Sequence, residues 1–513
     1  MILLMVLPAL SLGLTSITYP SVYVNSSAIV SLAEMDIARG PLMYNVTNHS
    51  ACVFWRTTDS TNASIQYGLN TSLLETVSSS TLDTVHRVRI AGLQLGTKYY
   101  YKVVSDGVPG EMYHFRTAPA DGQAFKMIIM GDNRPISDTP VQPQAFSDIT
   151  DRVIAEEPNL VVLTGDYVYS VTTIAGDNIA KWSAFKAIID QAAHYAPVYA
   201  AIGNHDTGLW TGTLILQYFL DAFEQHNEAS TYFSFDYAGV HMMILDSEAT
   251  NTPLRITGDQ YTWLTNELQA SQGRMKFMIA HAPMYPLSHI GSSLDVNITE
   301  RDALQQLFES TNVTVFAAGH DHLWNRITVN GLVHLITGGA GAPLYHTLWG
   351  GDFLHYTKAE VSRNLVDISA IGLDAGVKDN YVLPYVGPIE IFLRVVGNTS
   401  TRMAGTVPSI YFSQVPAQKG YSWDGAPNAT VLTGLPAAPG PHILDVYAEN
   451  GDSVWSHARF VFTTSGSITT TTTTTTTTSQ VPGIQVELIL LAGAAGIVII
   501  IVVLVLLRSR RTG

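Results

Sequence analysis

In Val198-Tyr199-Ala200-Ala201-Ile202-Gly203-Asn204-His205-Asp206, five mostly apolar residues run straight into a glycine and three polar side chains. An unbroken apolar run of this length fits a strand buried on both faces, as in a parallel sheet. The glycine lets the backbone turn tightly, and Asn, His and Asp are all able to ligate a metal. The same arrangement recurs along the chain. Residues 127–130 lead into Gly131-Asp132-Asn133-Arg134, and residues 160–163 precede Gly165-Asp166-Tyr167-Val168-Tyr169. Further on come Ala280-His281-Ala282-Pro283 and Gly319-His320-Asp321-His322. Between the runs lie helical patterns, such as Phe146, Ile149, Val153 and Ile154 at 3.6-residue spacing. This alternation predicts an α/β domain over residues 122–375, with a mixed sheet because strands at 231–236 and 240–246 flank the turn Ala238-Gly239. A lone Gly-Asp is an ordinary turn and a lone buried His an ordinary core residue. Five such turns at the carboxyl ends of strands can converge on one site.

Outside this domain the period changes. Residues 20–119 alternate apolar and polar side chains in short runs, an all-β pattern. Leu93-Gln94-Leu95-Gly96-Thr97-Lys98-Tyr99 resembles the tyrosine corner of a fibronectin type III sandwich. Residues 377–464 read as an Ig-like β-sandwich, with a hairpin from Pro441–Ala448 through Asn450-Gly451-Asp452 to residues 454–462. Neither segment clusters titratable groups, so both are expected to be structural.

The 513 residues carry 42 acidic against 27 basic side chains, a net charge of −15 that excludes a basic footprint for nucleic-acid backbones. The single cysteine, Cys52, excludes intrachain disulfides and thiolate clusters, and its apolar neighbours place it on a buried strand. Residues 1–17 are a candidate signal peptide lacking a basic n-region. Residues 484–507 are expected to form a transmembrane helix, since Leu488 to Leu507 holds no charged side chain and can span a ~30 Å hydrocarbon core. Arg508, Arg510 and Arg511 keep the 508–513 tail cytoplasmic and put the rest at the cell exterior. Nine Asn-x-Ser/Thr sequons, among them Asn25, Asn45, Asn62, Asn297 and Asn428, suit a glycosylated exterior face. Residues 465–483, with ten consecutive threonines from Thr469 to Thr478, read as an extended stalk or plain linker.

The ordered set of five turns resembles the calcineurin-like metallophosphoesterase superfamily, a four-layer α/β/β/α sandwich. The likeness extends to Gly338-Gly339-Ala340-Gly341-Ala342-Pro343 and Tyr232-Phe233-Ser234-Phe235-Asp236. Within it the chain looks most like the purple acid phosphatases, which also carry an N-terminal fibronectin-like domain. Arg134 stands where most of the superfamily has a His, and Tyr169 sits three residues after Asp166, the spacing of the purple branch. The resemblance implies two metals bridged by Asp166, one held by Asp132, Tyr169 and His322, the other by Asn204, His281 and His320. If Tyr169 is a ligand, Fe(III) with Zn, Mn or Fe(II) is implied. If it is instead a packed aromatic, two divalent ions such as Mn are expected.

The reaction implied is cleavage of phosphate monoesters by direct hydroxide attack, without a phospho-enzyme. In it His205 contacts phosphate and protonates the leaving oxygen, or else only orients a ligand. His289 lies one residue out of register with a substrate histidine of the purple enzymes. Arg134 either binds phosphate or pairs with Asp132 or another carboxylate. Two other readings stand beside this one: a phosphodiesterase or nucleotide hydrolase with the same metals, and a surface binding or adhesion protein with an inactive core.

Overall fold

Residues 39–464 are described in the computed structural model, except 74, 80, 209–215, 224–229, 250–251, 348, 364, 384–390, 395–404, 406, 413–415 and 450–454, together with 475–477. The candidate signal peptide, Asn25, the membrane span, the Arg-rich tail and most of the threonine stalk lie outside the described residues. Among the described residues, no helix is long and apolar enough to cross a membrane.

Alternating patterns fold first into a two-sheet sandwich. One sheet orders β1-β2-β5 from β1 (Arg39–Tyr44), β2 (Ser50–Thr61) and β5 (Asp83–Ala91). The other holds β3 (Ala63–Gly68), β4 (Glu75–Ser78), β6 (Lys98–Ser105), β7 (Val108–Pro109) and β8 (Tyr113–Arg116). Met43, Val53 and Trp55 from the first sheet pack with Ile65, Tyr101 and Phe115 from the second. Cys52 is buried on β2. The Tyr99 hydroxyl accepts the Gln94 amide at 3.0 Å, the back-bond that a tyrosine corner makes. Arg39 then ties this sandwich to the next domain, donating to both Asp190 oxygens at 2.7 and 2.8 Å.

The next domain is built on two six-stranded sheets. In the first, β9 (Phe125–Met130), β10 (Leu160–Leu163) and β11 (Val198–Ala200) are parallel, and β18 (His355–Ser362), β19 (Leu365–Gly372) and β20 (Val377–Leu383) extend it antiparallel. In the second, β12 (Phe233–Tyr237) pairs antiparallel with β13 (Val240–Ile244), while β13, β14 (Met275–Ile279) and β15 (Val315–Ala318) run parallel. It ends on a hairpin, β16 (Trp324–Val329) and β17 (Leu332–Thr337). The sheets face each other: the rings of Tyr199 and Phe235 stack at 3.7 Å and those of Phe125 and Tyr237 approach to 5.1 Å.

Helices cover the outer faces. On one side α1 (Gln144–Ala155), α2 (Ala175–Ala193) and α3 (Gln217–Ala222) bury Phe146, Phe185 and Phe219 against Ile128, Met130 and Leu163. On α1 the buried residues include Phe146, Ile149 and Val153, the stripe its spacing predicts. On the other side lie α4 (Gly258–Ala270) and α5 (Ile298–Ser310), whose Phe308 packs on Phe316 of β15. The Asn297 side chain caps α5 by accepting the Thr299 and Glu300 amides. The layers are therefore α/β/β/α.

One expected boundary is wrong. Residues 377–383 are β20, the edge strand of the first sheet, so the α/β domain runs past 375. The alternating pattern of an edge strand looks the same as that of a sandwich strand, and only pairing distinguishes them. A second unit comprises residues 326–334 and the described residues after 384. Within it β21 (Ile391–Arg394) pairs with β22 (Ser409–Phe412). A second sheet orders β23 (Gln418–Trp423), β24 (Gly440–Glu449), β25 (Trp455–Thr464) and β26 (Thr475–Thr477). Strands β24 and β25 are the expected hairpin arms, and Leu444, Val446, Phe460 and Phe462 form their core.

Candidate metal centre

All five turns follow the carboxyl ends of β9, β10, β11, β14 and β15, and their side chains meet. Donor atoms of Asp132, Asp166 and His281 lie within 4.8 Å of one another. Around them the remaining donors fall into two groups. On one side His322 Nε2 is 3.5 Å from Asp132 Oδ1. On the other, Asn204 Oδ1 is 2.9 Å from His281 Nε2 and 3.0 Å from His320 Nδ1, and the two ring nitrogens are 3.2 Å apart. Asp166 Oδ1 is 3.3 Å from His281 Nε2.

Each imidazole is oriented from behind. His281 Nδ1 is 2.8 Å from the Thr164 carbonyl, His320 Nε2 3.0 Å from that of Ser292, and His322 Nδ1 2.8 Å from that of Pro343. A carbonyl can only accept, so each of these nitrogens carries the proton and the other turns its lone pair inward. Two lone pairs and an amide oxygen crowded together repel unless a cation lies among them. This donor set fits metal ions.

The backbone is forced to suit. Asp132, Asp166 and His320 all have left-handed φ, at 58°, 63° and 69°, an uncommon conformation for residues with a Cβ. A Cβ on Gly203 would collide with the Asp166 amide and Oδ1, and one on Gly319 with Asp132 Oδ2. Those glycines leave room for the carboxylates.

The other expected residues surround this cluster. Arg134 Nε is 3.3 Å from Asp166 Oδ2, so the arginine pairs with Asp166 and not with Asp132. Its guanidinium lies 5.5 Å from the ring centre of Tyr169. Tyr169 also places its ring 5.6 Å from that of His205. His205 donates its amide to Asp166 Oδ1 at 3.0 Å, its Nδ1 is bound to the Tyr169 carbonyl, and Nε2 is 3.9 Å from Asp166 Oδ2. His289 sits at the edge, its ring 4.2 Å from that of His320.

Comparison with known proteins gives the same picture. The family profile for calcineurin-like phosphoesterases matches residues 128–323, and that for the purple acid phosphatase N-terminal domain matches residues 42–117. The chain carries a calcineurin-like phosphoesterase domain behind a purple acid phosphatase N-terminal domain. Purple acid phosphatase 23 of Arabidopsis thaliana is 24% identical over 299 residues, which are 52% of this chain and 62% of that protein. Purple acid phosphatase 21 of the same plant is 27% identical, over 47% of this chain and 53% of its own length. The match thus spans between half and two thirds of these relatives. The solved purple acid phosphatase of yellow lupin seeds has the same fold, with a TM-score of 0.55 at 19% identity, covering 68% of this chain and 74% of that one.

In the phosphoesterase domain the titrating groups suit cations. Burial, then the neighbouring Asp166, pushes Asp132 well above the carboxylate range. Burial also pushes Asp166 upward, yet His281, His205 and Arg134 together pull it below that range. Burial lowers His281, and lowers His320 to about 3 and His322 to about 4, leaving all three neutral at neutral pH, the state in which imidazole ligates.

Three residues outside the expected ligand and substrate set prove central. Asp206 is buried and accepts the amides of Asp166, Tyr167 and Gly203 at 2.9 Å each, so it shapes the Asp166 turn. Asp321 accepts from the 287–289 loop. The Tyr345 ring stacks on His322 at 4.3 Å. Asp206 and Asp321 stand inside motifs already singled out, and a charge beside a buried strand end is a signal in itself. Tyr345, in a loop after β17, carries none.

Proposed function

We propose that this chain hydrolyses phosphate monoesters at a two-ion centre. The observation that carries the reading is the partition of donors: Asp132 with His322 on one side, Asn204 with His281 and His320 on the other, and Asp166 between. Asp166 would bridge the ions, with Tyr169 completing the Asp132 side. When bound, two such ions lower the pKa of water and clamp the attacking and leaving oxygens of an in-line displacement.

The chain's own residues supply the rest. The Tyr169 carbonyl holds the proton on His205 Nδ1, so Nε2 is the atom that, when the ring is doubly protonated, would pass its proton to the leaving oxygen and be left with a lone pair. Arg134, anchored on Asp166 at 3.3 Å and on the Pro135 carbonyl at 3.2 Å, would offer its other guanidinium N–H groups to a phosphate. By the chemistry of the donors, Fe(III) with Zn, Mn or Fe(II) would suit the centre if Tyr169 ligates, and two divalent ions such as Mn if it does not. The apolar run at 488–507 and the arginines after it support an anchored protein with this site at the cell exterior.

The deciding experiment measures metal content, visible spectrum and hydrolysis of a chromogenic monoester and the matching diester, for the wild type and Tyr169→Phe. Two ions per chain, faster monoester cleavage and a purple band lost in the variant are expected. Faster diester cleavage would move the assignment to a phosphodiesterase. A protein that binds no metal and hydrolyses neither ester would sink the enzymatic reading.

A further inference from the structure

Asp321 lies between His320 and His322 in the chain and is fully buried. Its oxygens collect one segment of chain. Oδ2 accepts the amides of Leu287 and Ser288 at 2.5 and 2.9 Å, and Oδ1 accepts the Ser288 hydroxyl at 2.6 Å and the His289 amide at 3.0 Å. The fifth partner is His289 Nδ1, 2.7 Å from Oδ1. A carboxylate offers about four lone-pair positions, so these five partners saturate it.

The same loop reaches the centre by a second route, because the Ser292 carbonyl takes the His320 Nε2 proton at 3.0 Å. Among the described residues, His289 has one ring nitrogen bound, its ring 4.2 Å from His320 and 5.3 Å from Tyr345, and a third of its side chain exposed. With Nδ1 fixed by Asp321, Nε2 is the atom available to an incoming group.

We infer that Asp321 is a positioning residue that acts through His289, holding Nε2 of that ring where it meets the phosphate of the substrate. The inference rests on the proposed phosphomonoesterase reading. It gives the residue between the two ligand histidines a function of its own: it carries the placement of His320 and His322 over to the substrate loop, so ligands and substrate contact move as one piece.

The test is a double-substitution cycle in the metal-loaded full chain with Asp321→Asn, His289→Ala and both. The readouts are kcat and KM for an aryl phosphate monoester, inhibition by inorganic phosphate, and metal content. Asp321→Asn is expected to raise KM and the phosphate inhibition constant about tenfold, the scale of one charge-assisted hydrogen bond, with two ions retained and a smaller change in kcat. In the His289→Ala background the same substitution should change KM by less than about twofold. Effects that multiply, or a loss of metal with KM unchanged, overturn the inference. If Asp321→Asn does not fold, Ser288→Ala replaces it in the cycle. Its smaller rise in KM, about two- to threefold, must likewise vanish without His289. A wild type that neither cleaves the ester nor binds phosphate overturns the functional reading and this inference together. A wild type that does both, with a multiplicative cycle, overturns the inference alone.

Discussion

Replacing Asp206 by Asn keeps the shape of the side chain and changes only what its two terminal atoms can accept. Oδ2 takes the amides of Asp166 and Gly203 at 2.9 Å each, and Oδ1 those of Tyr167 at 2.9 Å and Val168 at 3.4 Å. Asparagine has one acceptor oxygen and one donor NH2. Its least costly placement puts the oxygen toward Asp166 and Gly203 and the NH2 against the Tyr167 amide. The Tyr167 amide and the more weakly held Val168 amide then lose this acceptor and one buried NH2 faces donors, at ~1–3 kcal/mol for each buried group left unsatisfied. Relief of a buried charge beside Asp166 offsets part of this, leaving a net destabilisation of about 3 kcal/mol out of a typical ~5–15. Because the Asp166 amide is one of the lost or strained anchors, metal occupancy should fall with stability. Denaturant unfolding of the metal-loaded full chain, followed by elemental analysis, reads both. A variant that unfolds at the wild-type midpoint with two ions bound would refute the idea that Asp206 shapes the Asp166 turn.

Two further outcomes are expected. Gly319→Ala should strip most of the metal while leaving the secondary structure folded, because its Cβ would collide with Asp132 Oδ2 and only a displaced carboxylate relieves that contact; full occupancy by elemental analysis would contradict it. In chelator-treated protein, stability should fall as pH rises from about 6.5 to 8. Burial, then Asp166, pushes Asp206 up to about 8, and burial, countered by Ser247, pushes Glu248 to about 8, whereas both ionise near 4 when unfolded. The folded state thus binds more protons across that window, at up to about 1.4 kcal/mol per pH unit for each group. Below pH 6.5 the lowered His281, His320 and His322 oppose the trend, since there the unfolded chain binds more protons. Thermal unfolding at stepped pH checks the slope, and a flat or rising curve between 6.5 and 8 would count against it.

How much of this could be read before folding depends on the range of the interaction. Apolar runs ending in Gly-Asp, Gly-Asn-His and Gly-His are local patterns, because a strand buried on both faces must be continuously apolar and its end must turn. The amphipathic stripe of α1, the Tyr99 corner and the ligand types are legible for the same reason. Which carboxylate Arg134 meets is not local: thirty-two residues separate it from Asp166, and only the adjacency of β9 and β10 decides between Asp166 and Asp132. The allegiance of residues 377–383 is decided in the same way, by the open edge of β19. Asp206 and Asp321 look like minor members of their motifs in one dimension. In three they are buried acceptors collecting amides from other turns, and a buried amide must find an acceptor wherever in the chain that acceptor lies. Sequence alone therefore determined the kinds of donor and the strand ends they occupy. Tertiary structure decided their grouping, because hydrogen bonds and ligand distances are set by which strands are neighbours.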